Sequence, residues 1–167
     1  MLSYFQTFSI LTLFILIIYI INLYYLKWNI DTKEKKLLLI KNIIASILIS
    51  FGLIKLYNLY EFVSIFSKYD IITQYLPIYA YIFPFLEILL GLSIIIIKKN
   101  IYIQKIYQMI VLYTIINLIG IYNGLQSKIP LKCGCMGSYF DLPLSNLTII
   151  ENLMILIKTI ILIYFTS

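Results

Sequence analysis

Long apolar runs dominate the chain, and charged residues fall mostly between them. A helix that crosses the hydrocarbon core of a bilayer needs about 20 apolar residues. Because backbone groups in lipid must be hydrogen-bonded internally, runs of this length favour helices. The predicted spans are Leu2–Leu26, Leu37–Tyr57, Pro77–Ile97, Ile101–Tyr122 and Ser145–Phe165. The pattern therefore predicts an all-α integral membrane protein with five transmembrane helices.

Composition supports this assignment. The chain is 62% hydrophobic and 12% charged, whereas a soluble domain is about half apolar and a quarter charged. The net charge of +6 comes from lysines that mostly flank apolar runs, which is typical of topology signals rather than of nucleic-acid binding. The chain has no histidine, so it lacks the commonest zinc ligand and the commonest proton shuttle.

Lysine positions predict the orientation in the membrane. The basic segments 27–36 and 98–100 alternate along the chain with less basic loops, so the positive-inside rule places these two in the cytoplasm. The first span lacks a basic n-region and a small-residue cleavage site, so we interpret it as retained. We expect a bacterial inner (cytoplasmic) membrane protein with its N-terminus outside, its C-terminus inside and loop 123–144 on the outer face.

This topology divides the chain into two regions. Residues 1–36 are predicted to hold the first helix and a basic cytoplasmic loop, and residues 37–167 a four-helix bundle with loop 123–144 on its outer side. Stripes of small and polar residues mark where membrane helices approach each other. Two such stripes predict inner faces: Lys41, Ala45, Gly52 and Lys55 in one helix, and Tyr113, Asn117, Gly120 and Gly124 in another.

The two cysteines of the chain form the motif Cys133-Gly134-Cys135 in the predicted outer loop. Outside the cytoplasm such a pair can persist as a disulfide. Because it closes a very short loop, a staple here would stabilise little, and the central glycine eases the tight backbone. A strained, exposed disulfide is labile and oxidising. These features favour a redox pair, with Lys132 as a candidate stabiliser of the thiolate.

Two other interpretations of the cysteine pair stay open. It can be an inert structural disulfide, or half of a site for a soft metal such as copper(I), with Met136 next to it. Zinc normally takes four ligands, and the chain offers two thiolates and no histidine.

Among the charged residues of the predicted spans, four are candidates for an intramembrane polar site: Lys55, Glu87, Glu151 and Lys158. Glu87 is predicted near the middle of the bilayer, where an ionisable group is costly and usually has a partner inside the bundle. Lys55 and Lys158 are its candidate partners, and Glu151 shares a helix face with Lys158. The alternatives are a structural ion pair or a neutral, hydrogen-bonded Glu87, against a role in proton or quinone handling.

Several short motifs together resemble one known family. Residues 133–138 read CGCMGS, 142–145 read LPLS, 50–56 read SFGLIKL and 84–91 read PFLEILLG. In this order and spacing they resemble MauE-type proteins of the MauE/DoxX superfamily, over about residues 41–165. The resemblance implies a four-helix membrane bundle with a redox role beside thioredoxin-like partners. In the namesake, that role concerns maturation of methylamine dehydrogenase.

The functional expectation is therefore a membrane thiol–disulfide redox protein. Its Cys133/Cys135 pair would exchange electrons with an outer-face thioredoxin-like or exported cysteine-containing protein. The chain has no second cysteine pair, so an autonomous quinone oxidoreductase is not supported, and no cofactor and no nucleic-acid partner are expected. The alternatives are a non-enzymatic assembly or chaperone subunit with a structural disulfide, and a soft-metal binder or small-solute carrier.

Overall fold

The structure is a computed structural model that describes residues 13, 16, 17, 20, 21, 24, 33–97, 100–127, 131–133 and 144–166. Six helices are assigned within residues 33–166 of this part of the chain. They are α1 (Lys33–Tyr57), α2 (Leu59–Phe66), α3 (Ile71–Tyr75), α4 (Ile78–Ile96), α5 (Asn100–Gln126) and α6 (Asn146–Thr166).

Four of these helices, α1, α4, α5 and α6, are long and apolar enough to cross a membrane. Their bounds confirm the four predicted spans of residues 37–165 to within about four residues. The largest differences are at the start of α1, where the lysine-rich segment extends the helix at its N-terminal end, and at the end of α5. There, Asn123 and Gly124 belong to the helix rather than to the predicted loop.

A fifth span is not confirmed. In the segment predicted as the first span, the described residues are Leu13, Leu16, Ile17, Ile20, Ile21 and Tyr24, and all six are helical and exposed. The other residues of that segment lie outside the described part of the chain. The N-terminal transmembrane helix therefore stays a prediction.

Close approach of α1 and α4 builds the largest helix–helix interface of the bundle. Two glycines permit it: a Cβ added at Gly91 would lie 2.7 Å from a side-chain carbon of Ile49 and 2.9 Å from the carbonyl oxygen of Ala45. A Cβ at Gly52 would lie 2.7 Å from the carbonyl oxygen of Pro84. Of the predicted inner face of α1, Ala45, Gly52 and Lys55 are buried, which confirms that part of it, whereas Lys41 is half-buried.

The second large interface joins α5 to α6. In the inner stripe predicted for α5, Asn117, Gly120 and Gly124 are buried and Tyr113 is half-buried. A Cβ at Gly120 would lie 3.2 Å from the carbonyl oxygen of Tyr69, and one at Gly124 would lie 2.7 Å from a methyl carbon of Leu144. This stripe therefore receives the connection between α1 and α4 as well as the start of α6.

Two short helices, α2 and α3, form that connection, which the apolar pattern did not predict as helical. Asp70 caps α3, because its Oδ1 accepts hydrogen bonds of 2.7 Å from both the backbone N–H and the hydroxyl of Thr73. Phe62 and Phe66 of α2 stack on each other and on Phe83 of α4. The connection thus covers one end of the four long helices with an aromatic layer.

Replacing Gly91 with alanine is expected to destabilise the bundle by about 1–3 kcal/mol, because the new methyl group would press on the α1 backbone. Thermal unfolding of the detergent-solubilised protein, followed by size-exclusion chromatography, measures this loss. Leu92→Ala is the control, since Leu92 is 40% exposed on the outside of the same helix. Equal melting temperatures for Gly91→Ala and the unmodified protein would contradict this packing.

Candidate functional site

A buried ion pair lies between α1 and α4. The Nζ of Lys55 is 2.5 Å from Oε1 and 2.6 Å from Oε2 of Glu87, and both side chains are about 95% buried. Of the two candidate partners for Glu87, the structure therefore brings Lys55 into contact. Lys55 is two residues from the end of α1, and Glu87 is nine residues into α4, about 14 Å from the start of that helix.

Aromatic groups surround this ion pair. The ammonium group of Lys55 lies 4.9 Å from the centre of the Phe83 ring and 5.7 Å from that of Phe62, distances at which cation–π attraction operates. The hydroxyl of Tyr113 donates a short hydrogen bond to Oε1 of Glu87. The carboxylate is thus neutralised by one cation and bonded by a second donor, as a buried charge requires.

A cavity of about 40 Å³, lined by both apolar and polar side chains, opens beside the ion pair between α1, α4, α5 and α6. Such a volume is large enough to hold water when polar groups line it. Its polar lining comes from Lys55, Glu87, Tyr69, Tyr113, Asn117, Thr148, Glu151 and Asn152. The cavity therefore brings polar side chains of all four long helices together in one place.

Glu151 enters the cavity from α6 without the support that Glu87 has. Its Oε2 atom is buried and has no hydrogen-bond partner among the described residues. Lys158, two turns along α6, is half-buried, does not line the cavity and forms no ion pair with Glu151 in the described part of the chain. Sharing a helix face therefore does not bring these two charges together.

Cys133 packs over the start of α6. Its side chain is 1% exposed and its sulfur is disulfide-bonded, while the other cysteine, Cys135, lies outside the described residues. The hydroxyl of Thr148 donates to the sulfur at 3.5 Å, and a backbone hydrogen bond of 2.8 Å from Leu144 to Leu131 ties the two ends of this segment together. Cys133 is therefore buried rather than exposed as the sequence led us to expect.

The sulfur and the cavity meet at one residue. Thr148 contacts Cys133 with its hydroxyl and also lines the cavity, as do Glu151 and Asn152 one turn further along α6. Lys132 is exposed to solvent, whereas its neighbour Cys133 and the contacting Thr148 are buried. The structure thus brings Cys133 close to the intramembrane polar residues, which the sequence analysis treated separately.

Sequence reasoning did not assign Thr148 to the site, and it assigned Tyr113 and Asn117 only to helix packing. A signal for Thr148 is present in its spacing: it lies three residues before Glu151 and four before Asn152, so the three share a face of α6. For Tyr113 the sequence indicates only an inner face of its helix, and the folded bundle shows that this face meets Glu87.

Comparison with known protein families identifies the family of this chain. Residues 33–165 match the family described as Methylamine utilisation protein MauE. The chain belongs to the MauE family. This match covers all four long helices, the ion pair and the cysteine motif, and it identifies the chain as an integral membrane protein. Searches of curated proteins and of solved structures found no match.

Replacing Glu87 is expected to lower the amount of folded protein in membranes, and alanine more than glutamine. Glu87→Ala leaves the buried ammonium of Lys55 without a partner, a loss of about 3–5 kcal/mol. Glu87→Gln keeps an oxygen that accepts from Lys55 and Tyr113. Membrane expression and melting temperature measure the difference, with Glu61→Ala on α2 as the control. Equal losses for the two Glu87 variants would contradict the ion-pair argument.

Removing both charges together is expected to restore much of the loss. A Lys55→Met, Glu87→Leu double variant has similar volume and no uncompensated charge, and such replacements of buried ion pairs are often neutral. A double variant no more stable than Glu87→Ala would show that the aromatic and tyrosine contacts, not the charge balance, hold this region.

Proposed function

We propose that this MauE protein is a membrane thiol–disulfide redox protein whose Cys133/Cys135 pair exchanges electrons with a thioredoxin-like protein on the outer face. The observation that carries the proposal is the position of Cys133: a disulfide-bonded sulfur held by Thr148 at the first turn of a transmembrane helix. The pairing of Cys133 with Cys135 follows from the presence of two cysteines in the chain.

The environment of Cys133 suits a leaving sulfur. Thr148 is the third residue of α6, so the sulfur lies beside a helix N-terminus, where unpaired N–H groups favour negative charge. The Thr148 hydroxyl offers a further hydrogen bond to a thiolate. These two contacts stabilise Cys133 more as a thiolate than as half of a disulfide, which is the requirement for a sulfur that must be released and recaptured.

The exchange consists of two substitutions at sulfur. A thiolate of the partner attacks one sulfur of the Cys133–Cys135 disulfide, a mixed disulfide forms, and the other sulfur leaves as a thiolate. The partner's second thiolate then attacks the mixed disulfide. The partner ends as a disulfide, this chain as a dithiol, and two protons pass from the partner's thiols to Cys133 and Cys135. The reverse sequence reduces a partner disulfide and returns Cys133 and Cys135 to a disulfide.

Burial assigns different roles to the two cysteines in this proposal. A sulfur nucleophile must approach along the axis of the disulfide, and Cys133 is 1% exposed. Attack is therefore expected at Cys135, with Cys133 as the leaving sulfur. With no second cysteine pair in the chain, the electrons leave through the same two residues, so the protein acts between two partners in turn.

The family name connects this chemistry to methylamine utilisation. We propose that the pair serves maturation of an exported cysteine-containing protein, methylamine dehydrogenase in the family's namesake. The predicted orientation, with the cysteine loop outside, places the pair where such a protein would be oxidised.

Trapping of mixed disulfides tests the proposal directly. Cells that express Cys133→Ser or Cys135→Ser are quenched with acid, and thiols are alkylated before non-reducing electrophoresis. Cys133→Ser should capture an outer-face protein through Cys135, whereas Cys135→Ser should capture much less. The double Cys→Ser variant is the control.

Two outcomes would contradict the redox function, and a third would contradict the orientation. Normal maturation of exported proteins with both cysteines replaced, and no captured partner, would indicate an assembly subunit with a structural disulfide. Protection of both thiols by copper(I) would indicate a soft-metal site. Capture by a cytoplasmic protein alone would overturn the proposed orientation.

Lys132 is expected to accelerate the reactions of Cys133, because a neighbouring ammonium stabilises the thiolate. In a reduced Cys135→Ser background, Lys132→Ala should slow maleimide labelling of Cys133 severalfold at neutral pH, and the difference should vanish at high pH. Lys68→Ala is the control, since Lys68 is also exposed and is predicted on the same face. Identical labelling rates across pH would remove Lys132 from the site.

A further inference from the structure

The cavity beneath Cys133 holds one carboxyl group more than its cations can neutralise. Its charged lining is Lys55, Glu87 and Glu151, and the ammonium of Lys55 is already held by both oxygens of Glu87. An ionised Glu151 would therefore be a half-buried charge without a compensating cation beside it, which is unfavourable at a buried carboxyl oxygen. A proton is the smallest species that restores the balance.

The other residues that line the cavity do not change this balance of charges. Facing Glu151 from the neighbouring elements are Lys55 of α1, Tyr69 between α2 and α3, Glu87 of α4, and Tyr113 and Asn117 of α5. The Tyr113 hydroxyl already donates to Glu87, and Asn117 carries no charge. Among the described residues that line the cavity, none supplies a second positive charge.

A polar route joins Glu151 to the sulfur. Thr148 and Glu151 lie one turn apart on α6, and both line the cavity. The Thr148 hydroxyl donates to the sulfur of Cys133 at 3.5 Å, and a hydroxyl can donate and accept at the same time. The volume of about 40 Å³ leaves room for water between the hydroxyl and the carboxyl group.

We propose that Glu151 exchanges a proton with the sulfur of Cys133 when the disulfide opens and closes, with the Thr148 hydroxyl and the cavity as the route. This inference rests on the proposed thiol–disulfide function. It gives Glu151 a positioning and proton-carrying role, through Thr148, in a reaction whose sulfur atoms it does not touch.

During reduction, the Cys133–Cys135 disulfide takes up two electrons. Electrons come from the partner's dithiol, which becomes a disulfide. The bond to the sulfur of Cys133 breaks, and this sulfur leaves as a thiolate. The thiolate takes the proton of the Thr148 hydroxyl. Glu151 then supplies a proton to Thr148 across the cavity. The products of this step are a Cys133 thiol and a Glu151 carboxylate, and the carboxylate regains its proton from one released by the partner's thiols. Oxidation follows the reverse course.

Reduction by dithiothreitol, measured on the full-length protein in lipid nanodiscs across a range of pH, tests the inference. The rate is divided by the concentration of dithiothreitol thiolate, so that only the protein's own proton dependence remains. In the unmodified protein the corrected rate should fall as pH rises and Glu151 loses its proton. Glu151→Gln should lower the corrected rate at neutral pH by about tenfold or more and remove that dependence.

Matched variants distinguish a role of Glu151 and Thr148 in proton transfer from a purely structural role. Thr148→Val should reproduce the effect of Glu151→Gln, whereas Thr148→Ser, which keeps the hydroxyl, should restore the rate. Thr159→Val is the control for the threonine, because Thr159 is fully buried on α6, bonds to the carbonyl of Ile155 and does not line the cavity. Glu61→Gln on α2 is the control for removing a carboxylate.

Superimposable pH profiles for the unmodified protein and a folded Glu151→Gln variant would overturn the inference while leaving the proposed function intact. Failure of the unmodified protein to form any mixed disulfide would instead refute the proposed function. If Glu151→Gln does not fold, infrared difference spectra between the oxidised and reduced protein provide the test. A change in a carboxylic acid band that is abolished by Thr148→Val supports the inference. A spectrum without such a change, or a change that Thr148→Val leaves intact, overturns it.

Discussion

The need to neutralise a lysine inside the membrane organises this protein. Lys55 stands two residues from the end of its helix with its ammonium buried, and the contact with both oxygens of Glu87 makes that position tolerable. The contact requires α1 and α4 to approach closely, which the glycines at their interface permit. It also requires the aromatic layer of α2 and α4, which excludes water while attracting the cation through its rings.

Once the ion pair is fixed, the rest of the polar interior follows from it. Tyr113 reaches Glu87 because α5 packs against the same end of the bundle. A cavity with several polar side chains in its lining remains beside the pair, between the four helices. The start of α6 then borders that cavity on one side and the disulfide-bonded sulfur on the other, which joins the membrane interior to the cysteine loop.

Much of this could be predicted from the sequence, because membrane helices obey a length rule and an internal hydrogen-bonding rule that depend little on context. The four long helices, the inner faces marked by Ala45, Gly52 and Gly120, and the need of Glu87 for a lysine partner all follow from such rules. The choice between Lys55 and Lys158 did not, because it depends on which helices are neighbours.

The features missed from the sequence are those set by tertiary packing. Helices α2 and α3 are shorter than any membrane pattern, and the cap at Asp70 is a local signal that was not used. Cys133 is buried where Leu144 lies against Gly124 and donates a backbone hydrogen bond to Leu131, contacts that join residues far apart in sequence. A thiol pair between prolines and glycines looks like surface loop until the residues beneath it are known.

The hydrogen bond between Leu131 and Leu144 has a consequence for how such proteins diverge. It ties together the two ends of the segment that contains the cysteine motif, so that, apart from the buried Cys133, the bundle depends little on what lies between those ends. The entropic cost of closing a loop grows only slowly with its length, so insertions and substitutions there would disturb the helices little. Length and composition can therefore vary between residues 134 and 143 while the intramembrane polar cluster keeps its geometry.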